Sequence, residues 1–208
     1  MAIVKKIVLM LSTVSLLSYG ILTQAAGDPV KGKDKAAACA GCHGEDGNSL
    51  APNFPKLAGQ YADYTVKQVN DFLRNKRTDP IMSGMAATAG SAADLADIAA
   101  FFAIQKTMKG VAVKSKKALQ GRTLYLKGDQ KRGVYGCVNC HGRNGKGVSK
   151  SNPYFPVIGG QHKDYLVKTI KDFKAKTRRN DPGGMMADIA VKLTDAEIDA
   201  VSEYLSGL

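Results

Sequence analysis

The chain has 208 residues and a formal net charge of +12, with four cysteines, three histidines and no tryptophan. Past residue 25 no apolar run approaches the roughly 20 residues of a bilayer span, so no transmembrane segment is expected beyond the N-terminus. The basic balance does not point to nucleic acid, since no recognition motif is present and the N-terminal pattern taken up next predicts export.

In chain order, residues 1–25 have the pattern of a secretory signal peptide. Lys5 and Lys6 form a positive start, residues 7–22 an apolar run broken by Ser, Thr and Gly, and Thr23, Gln24 and Ala25 a small-residue cleavage site. An uncleaved anchor is the alternative reading. Export predicts a bacterial periplasmic location for a mature protein that is soluble, and leaves peripheral membrane association open.

Residues 26–108 form the first predicted domain. An opening helix holding Gly32 leads into Cys39-Ala40-Gly41-Cys42-His43, then a loop rich in Gly, Asn and Pro that ends at Phe54-Pro55. The spacing predicts a helix over Ala62–Leu73, with Val66, Val69, Phe72 and Leu73 on its apolar face. After Asp79-Pro80 and Met82, Ser91 opens a helix running to about Gln105, its apolar side made of Leu95, Ile98, Phe101 and Phe102. Residues 109–117 carry no helical stripe and are predicted to link two domains.

Residues 118–208 repeat this order. Gly121 lies in the opening helix, an insertion over 128–136 follows, and Cys137-Val138-Asn139-Cys140-His141 forms the second motif. Gly160-Gln161 answers Gly59-Gln60, Asp172-Phe173 answers Asp71-Phe72, and Asp181-Pro182 answers Asp79-Pro80. A helix is predicted over Lys163–Lys174 on Leu166, Ile170 and Phe173. Thr194 and Glu197 form a capping box before a closing helix with Ile198, Val201, Tyr204 and Leu205. Gly32 and Gly121 should let the closing helices cross closely, near Phe101 and Tyr204. The expected fold is all-α, as two tandem domains. Their charges differ: residues 26–108 hold nine Lys/Arg and nine Asp/Glu, residues 109–208 nineteen and nine. An acidic partner for the second half is one reading, a solvated basic surface the other.

Cys-x-x-Cys-His attaches a c-type haem: two thiols reach the two vinyl groups of one porphyrin and the next residue offers imidazole to the iron. Here two copies use every cysteine, predicting two covalently bound haem c groups on Cys39, Cys42, Cys137 and Cys140, with His43 and His141 as axial ligands. A zinc site would bring two Cys pairs within about 15–20 residues of each other, and a thioredoxin-like pair would follow a strand. Disulfides would leave the repeated His without a reason. A haem at the centre of each domain also explains how few helices and glycine-rich loops enclose an apolar core.

Only His162 is spare, so bis-histidine ligation at both irons is impossible; it reads as a structural or surface residue. A methionine thioether is the natural sixth ligand. The repeat register selects Met82 and Met186, with Met85 and Met185 as runners-up. Pro55 and Pro156 carbonyls are expected to fix the histidine rings. Tyr64, Tyr165, Gln60 and Gln161 recur as candidate donors to haem propionates.

With these motifs, with residues 51–60, Met82-Ser83-Gly84-Met85, Asp97-Ile98-Ala99-Ala100 and Gly159-Gly160-Gln161-His162, the chain resembles the dihaem class I cytochromes c, most specifically the cytochrome c4 family. The resemblance implies a periplasmic electron carrier with two His/Met haems in pseudo-two-fold domains. It also implies propionate edges meeting near the domain interface, and delivery of electrons to a terminal oxidase or another membrane respiratory complex. It departs in the insertion over 128–136 and in the longer loop before Phe155. Capped irons leave no open position for a substrate, so a carrier rather than an enzyme is expected, its lysine-rich half steering toward an acidic redox partner. The alternatives are the dihaem subunit of a flavin-containing, sulfide-oxidising dehydrogenase, and a dihaem peroxidase.

Overall fold

A computed structural model describes residues 27–150 and 152–208; the signal peptide expected over residues 1–25 lies outside them. The described residues are helical, with one isolated bridge between Asp129 and Val134 in place of any strand. None of their helices is by itself long and apolar enough to cross a bilayer.

The first half begins with α1 (Pro29–Lys35), capped by the Asp28 carboxylate, which accepts from the Val30 and Lys31 N–H groups. The expected single opening helix is interrupted at the buried Ala36, and the first motif lies on a second segment, α2 (Ala37–His43). Next come α3 (Ala62–Leu73), the short α4 (Met82–Met85) and α5 (Ala92–Ile104). Ser91 and Asp94 cap α5 reciprocally, satisfying two N–H groups that the helix itself leaves free.

The second half repeats this pattern with α6 (Lys116–Lys127), α7 (Val138–His141), α8 (Lys163–Lys174), α9 (Met185–Ala190) and α10 (Asp195–Ser206). Ser115 accepts from the Ala118 N–H at 2.9 Å, so α6 starts inside the segment expected to be linker. The insertion over 128–136 folds back as a tight turn. Asp129 and Val134 exchange backbone hydrogen bonds, and Arg132 pairs with Asp129 and with Glu197 of α10.

Glycine sets both helix crossings. A Cβ on Gly32 would lie 2.0 Å from the Asp97 carbonyl oxygen and 2.9 Å from Phe101 Cβ; on Gly121 it would lie 1.9 Å from the Ala200 oxygen. α1 therefore packs backbone to backbone on α5, and α6 on α10. Leu95, Ile98, Phe101 and Phe102 fill the first core, and Leu124, Tyr125, Leu166, Ile198, Val201 and Leu205 the second. Each such side chain contributes about 1.5–3 kcal/mol by leaving water. Leu73, expected on the apolar face of α3, is instead 46% exposed, because the core ends one residue earlier at Phe72.

The halves meet through matching segments. The Gln60 side chain accepts from the Val157 N–H at 3.0 Å and donates to the Val157 carbonyl at 2.9 Å. Gln161 does the same to Lys56, with both contacts at 2.9 Å. Met108, fully buried at the end of the first half, donates its N–H to the Ala58 carbonyl and accepts from Lys146 Nζ.

Candidate functional site

His43 ends α2, and Gly44 at φ 83° turns the chain into the following loop. That loop returns so that His43 Nδ1 is 2.7 Å from the Pro55 carbonyl oxygen. A carbonyl only accepts, so Nδ1 carries the proton and Nε2 keeps its lone pair for a metal. His141 ends α7 in the same way, with Nδ1 3.3 Å from the Pro156 oxygen. Both rings are buried, and burial lowers their pKa, holding the imidazoles neutral as ligands must be.

The thiols are spaced three residues apart on each motif and are all half-buried and unpaired. Cys39 packs against the first core, Cys137 against the second. Burial pushes the Cys39 thiol up and the Cys137 thiol up to about 11. Among the described residues no three His, Cys, Asp or Glu side chains converge on a metal-sized point. Paired thiols spread along a motif beside a neutral imidazole fit covalent haem c.

The methionines are held by equivalent aspartates. Asp79 Oδ1 accepts from the Ile81 and Met82 N–H groups at 3.0 and 3.1 Å, and Asp181 Oδ2 from those of Met186 and Ala187 at 2.9 and 3.1 Å. Met82 and Met186 are half-buried, whereas Met85 and Met185 are 37% and 43% exposed.

Four candidate propionate donors divide into two groups. Gln60 and Gln161 have both amide groups engaged on backbone across the domain boundary. Tyr64 and Tyr165 instead meet arginines of the opposite half: Arg178 Nη2 is 3.2 Å from the Tyr64 hydroxyl, and Arg77 Nη2 is 3.0 Å from that of Tyr165. His162, read from sequence as structural or surface, is half-buried with Nε2 2.8 Å from the Ser49 oxygen. Its counterpart Tyr61 reaches the Lys146 carbonyl. Arg77 and Arg178 went unnoticed in the sequence, although each stands five residues after the repeated Phe72 or Phe173, and each guanidinium lies over that ring, at 4.7 and 4.5 Å.

The profile of the cytochrome c family matches residues 30–104 and 118–208. The chain is 46% identical to cytochrome c4 of Pseudomonas aeruginosa over 196 residues, 93% of this chain and 96% of that protein. It is 37% identical to the thiosulfate dehydrogenase electron acceptor of Stutzerimonas stutzeri, over 90% of this chain and 84% of that one. The crystal structure of reduced recombinant cytochrome c4 from Pseudomonas stutzeri superposes with a TM-score of 0.81 at 41% identity, covering 88% of this chain and all of that one. Duplicated motifs, duplicated histidine seats and these relatives agree: the chain belongs to the cytochrome c4 family, all-α electron carriers of two tandem class I cytochrome c domains with two covalent haem c groups.

Proposed function

We propose that this protein is a periplasmic shuttle that takes single electrons from a respiratory donor and delivers them to a terminal oxidase or another membrane respiratory complex. Each haem, when bound, supplies an iron that alternates between ferric and ferrous. Cys39 with Cys42, and Cys137 with Cys140, tether the two groups through thioether bonds. His43 with Met82, and His141 with Met186, would hold the two irons and leave no ligand position for a substrate. Thioether sulfur favours the ferrous state and raises the potential relative to a second imidazole. In this reading the first domain runs to residue 108 and the second starts at the Ser115 cap of α6, with residues 109–114 joining them.

The single observation that carries this reading is that each half holds both a carbonyl-fixed imidazole and an aspartate-anchored methionine. The excess of Lys and Arg in the second half supports docking of that half on an acidic surface, steered over about 10 Å at moderate salt. The test is oxidation of the reduced holoprotein by oxidase-containing membranes. Turnover whose rate falls with rising ionic strength is expected; no turnover, or a rate indifferent to salt, contradicts the proposal.

A second reading draws on the Stutzerimonas relative, whose name makes it an electron acceptor of thiosulfate dehydrogenase. By it, this chain takes electrons from a sulfur-oxidising dehydrogenase, flavin-containing or not. Purification in a stable complex with such an enzyme favours this second reading; isolation as a free protein favours the shuttle.

A further inference from the structure

Of the three histidines, His162 is the one not engaged as an iron ligand, and it crosses the domain boundary. From the start of α8 its Nε2 lies 2.8 Å from the Ser49 carbonyl oxygen of the other half. A carbonyl only accepts, so Nε2 carries the proton and Nδ1 is left to take a second. Ser49 is 2% exposed, stands between His43 and Pro55 in the chain, and donates its hydroxyl to the Cys42 carbonyl at 3.0 Å. The ring is half-buried, open enough to exchange protons with solvent. Burial above all holds its pKa below the ordinary histidine value, and the Ser49 carbonyl offsets part of this. Two charges also act on it: Lys56 of the opposite half opposes a second proton, and Asp164 of α8 favours one. The adjacent Lys163 is paired with Asp199 and Glu203 of α10. The repeat is unequal here. Tyr61, at the matching start of α3, reaches the Lys146 carbonyl in the loop after His141, and burial pushes its hydroxyl up. One of two equivalent contacts is therefore titratable near neutral pH and the other is not.

We propose that His162 is a proton-binding site coupled to the first haem, so that reduction there draws one proton from solvent to Nδ1 and oxidation releases it. The electron removes one positive charge from the iron, and the imidazolium restores one nearby. The coupling is reciprocal: the imidazolium favours the ferrous state as much as the ferrous state favours the proton. The first haem is singled out because the loop that His162 touches carries both His43 and the Pro55 carbonyl that fixes its ring. The corresponding loop of the second haem meets Tyr61 instead. The first midpoint should thus be high while His162 is protonated and fall as pH rises through its titration, on the acid side of about 6.5, with the second midpoint level.

This inference rests on the ligation proposed above, and the two fail differently. With His43 and His141 on the irons, His162 is the one imidazole free to titrate, so NMR of the wild-type holoprotein follows it without any variant. Its pKa should be higher in the reduced protein than in the oxidised; equal values overturn the coupling. Optical potentiometry across the same pH interval should show a step in the first midpoint, identified as the one displaced in Met82→Ala. His162→Gln, which keeps a donor for the Ser49 carbonyl, should abolish that step, and Tyr61→His should confer one on the second midpoint. A step that survives in His162→Gln, or steps of equal size at both haems in the wild type, overturn the proposal. A Met82→Ala variant that displaces neither midpoint contradicts the ligation, whereas the proton site stands or falls on the NMR titration.

Discussion

The Gln60 side-chain amide clasps the backbone of Val157 in the other domain, accepting its N–H and donating to its carbonyl. Gln161 returns the same clasp on Lys56, so the pseudo-two-fold relation is written in hydrogen bonds as well as in helix order. Removing either amide leaves buried backbone groups unsatisfied, at a cost of about 1–3 kcal/mol. Gln60→Ala and Gln161→Ala should each lower the denaturant midpoint of the holoprotein. If unfolding by denaturant is unchanged in both, the clasp does not hold the domains together.

Gly121 lets α6 cross α10 at backbone contact, where a Cβ would meet the Ala200 oxygen at 1.9 Å. Gly121→Ala must push the helices apart, and overpacking of this kind costs about 1–3 kcal/mol. Thermal melting should show a lowered Tm, and the same change at Gly32 should act alike in the first domain. At Gly41, where an added Cβ meets nothing within 4 Å, substitution by Ala is the control and should leave the Tm near that of the wild type.

Lys35 Nζ bridges Asp94 at 2.6 Å and Asp97 at 2.5 Å, tying α1 to α5. Lys35 first, and Ser91 next, hold the Asp94 carboxyl well below the usual carboxylate range; Lys35 and the Asp28 N–H lower that of Asp97. Depressed carboxylates stabilise the fold fully above the unfolded pKa of about 4, and the contribution is lost as pH falls through the lower folded values. Asp94→Asn should therefore flatten the acid limb of a stability-against-pH curve below about pH 4 while leaving its slope at neutral pH unaltered. The effect is modest and salt-sensitive, because the pair is partly exposed. An acid limb as steep as that of the wild type would show that this bridge does not contribute.

Lys116, Lys127 and Lys131 are exposed, form no ion pair among the described residues, and line a groove beside the second motif with Leu119 and Asn139. Reversing Lys127 and Lys131 to Glu should slow second-order electron transfer to an acidic partner several-fold at low salt, and the difference should shrink as salt is added. Stopped-flow rates across an ionic-strength series provide the check; equal rates for variant and wild type would move the docking surface elsewhere.

Periodic and capping signals carried much of the architecture. The helices over Ala62–Leu73 and Lys163–Lys174, the helix start at Ser91, the capping box at Thr194, and the close crossings at Gly32 and Gly121 were all legible, since each depends on neighbours within one element or on a missing Cβ. The Pro55 and Pro156 carbonyls were also expected as partners of the histidine rings. The domain boundary was not legible. Gln60, Gln161 and His162 find their partners about a hundred residues away, and Arg77 and Arg178 look like ordinary surface charges until the repeats are folded against each other. No Gly or Pro marks the break at Ala36, so local pattern offered nothing to find it by.

The central claim, two irons each closed by a histidine and a methionine, is tested most directly by the near-infrared sulfur-to-iron band of the oxidised holoprotein, measured per chain. The wild type should show intensity for two such bonds. Met82→Ala and Met186→Ala should each remove half of it, and Met85→Ala and Met185→Ala none. Full intensity in the Met82 or Met186 variant, or its loss with Met85 or Met185, would contradict the assignment.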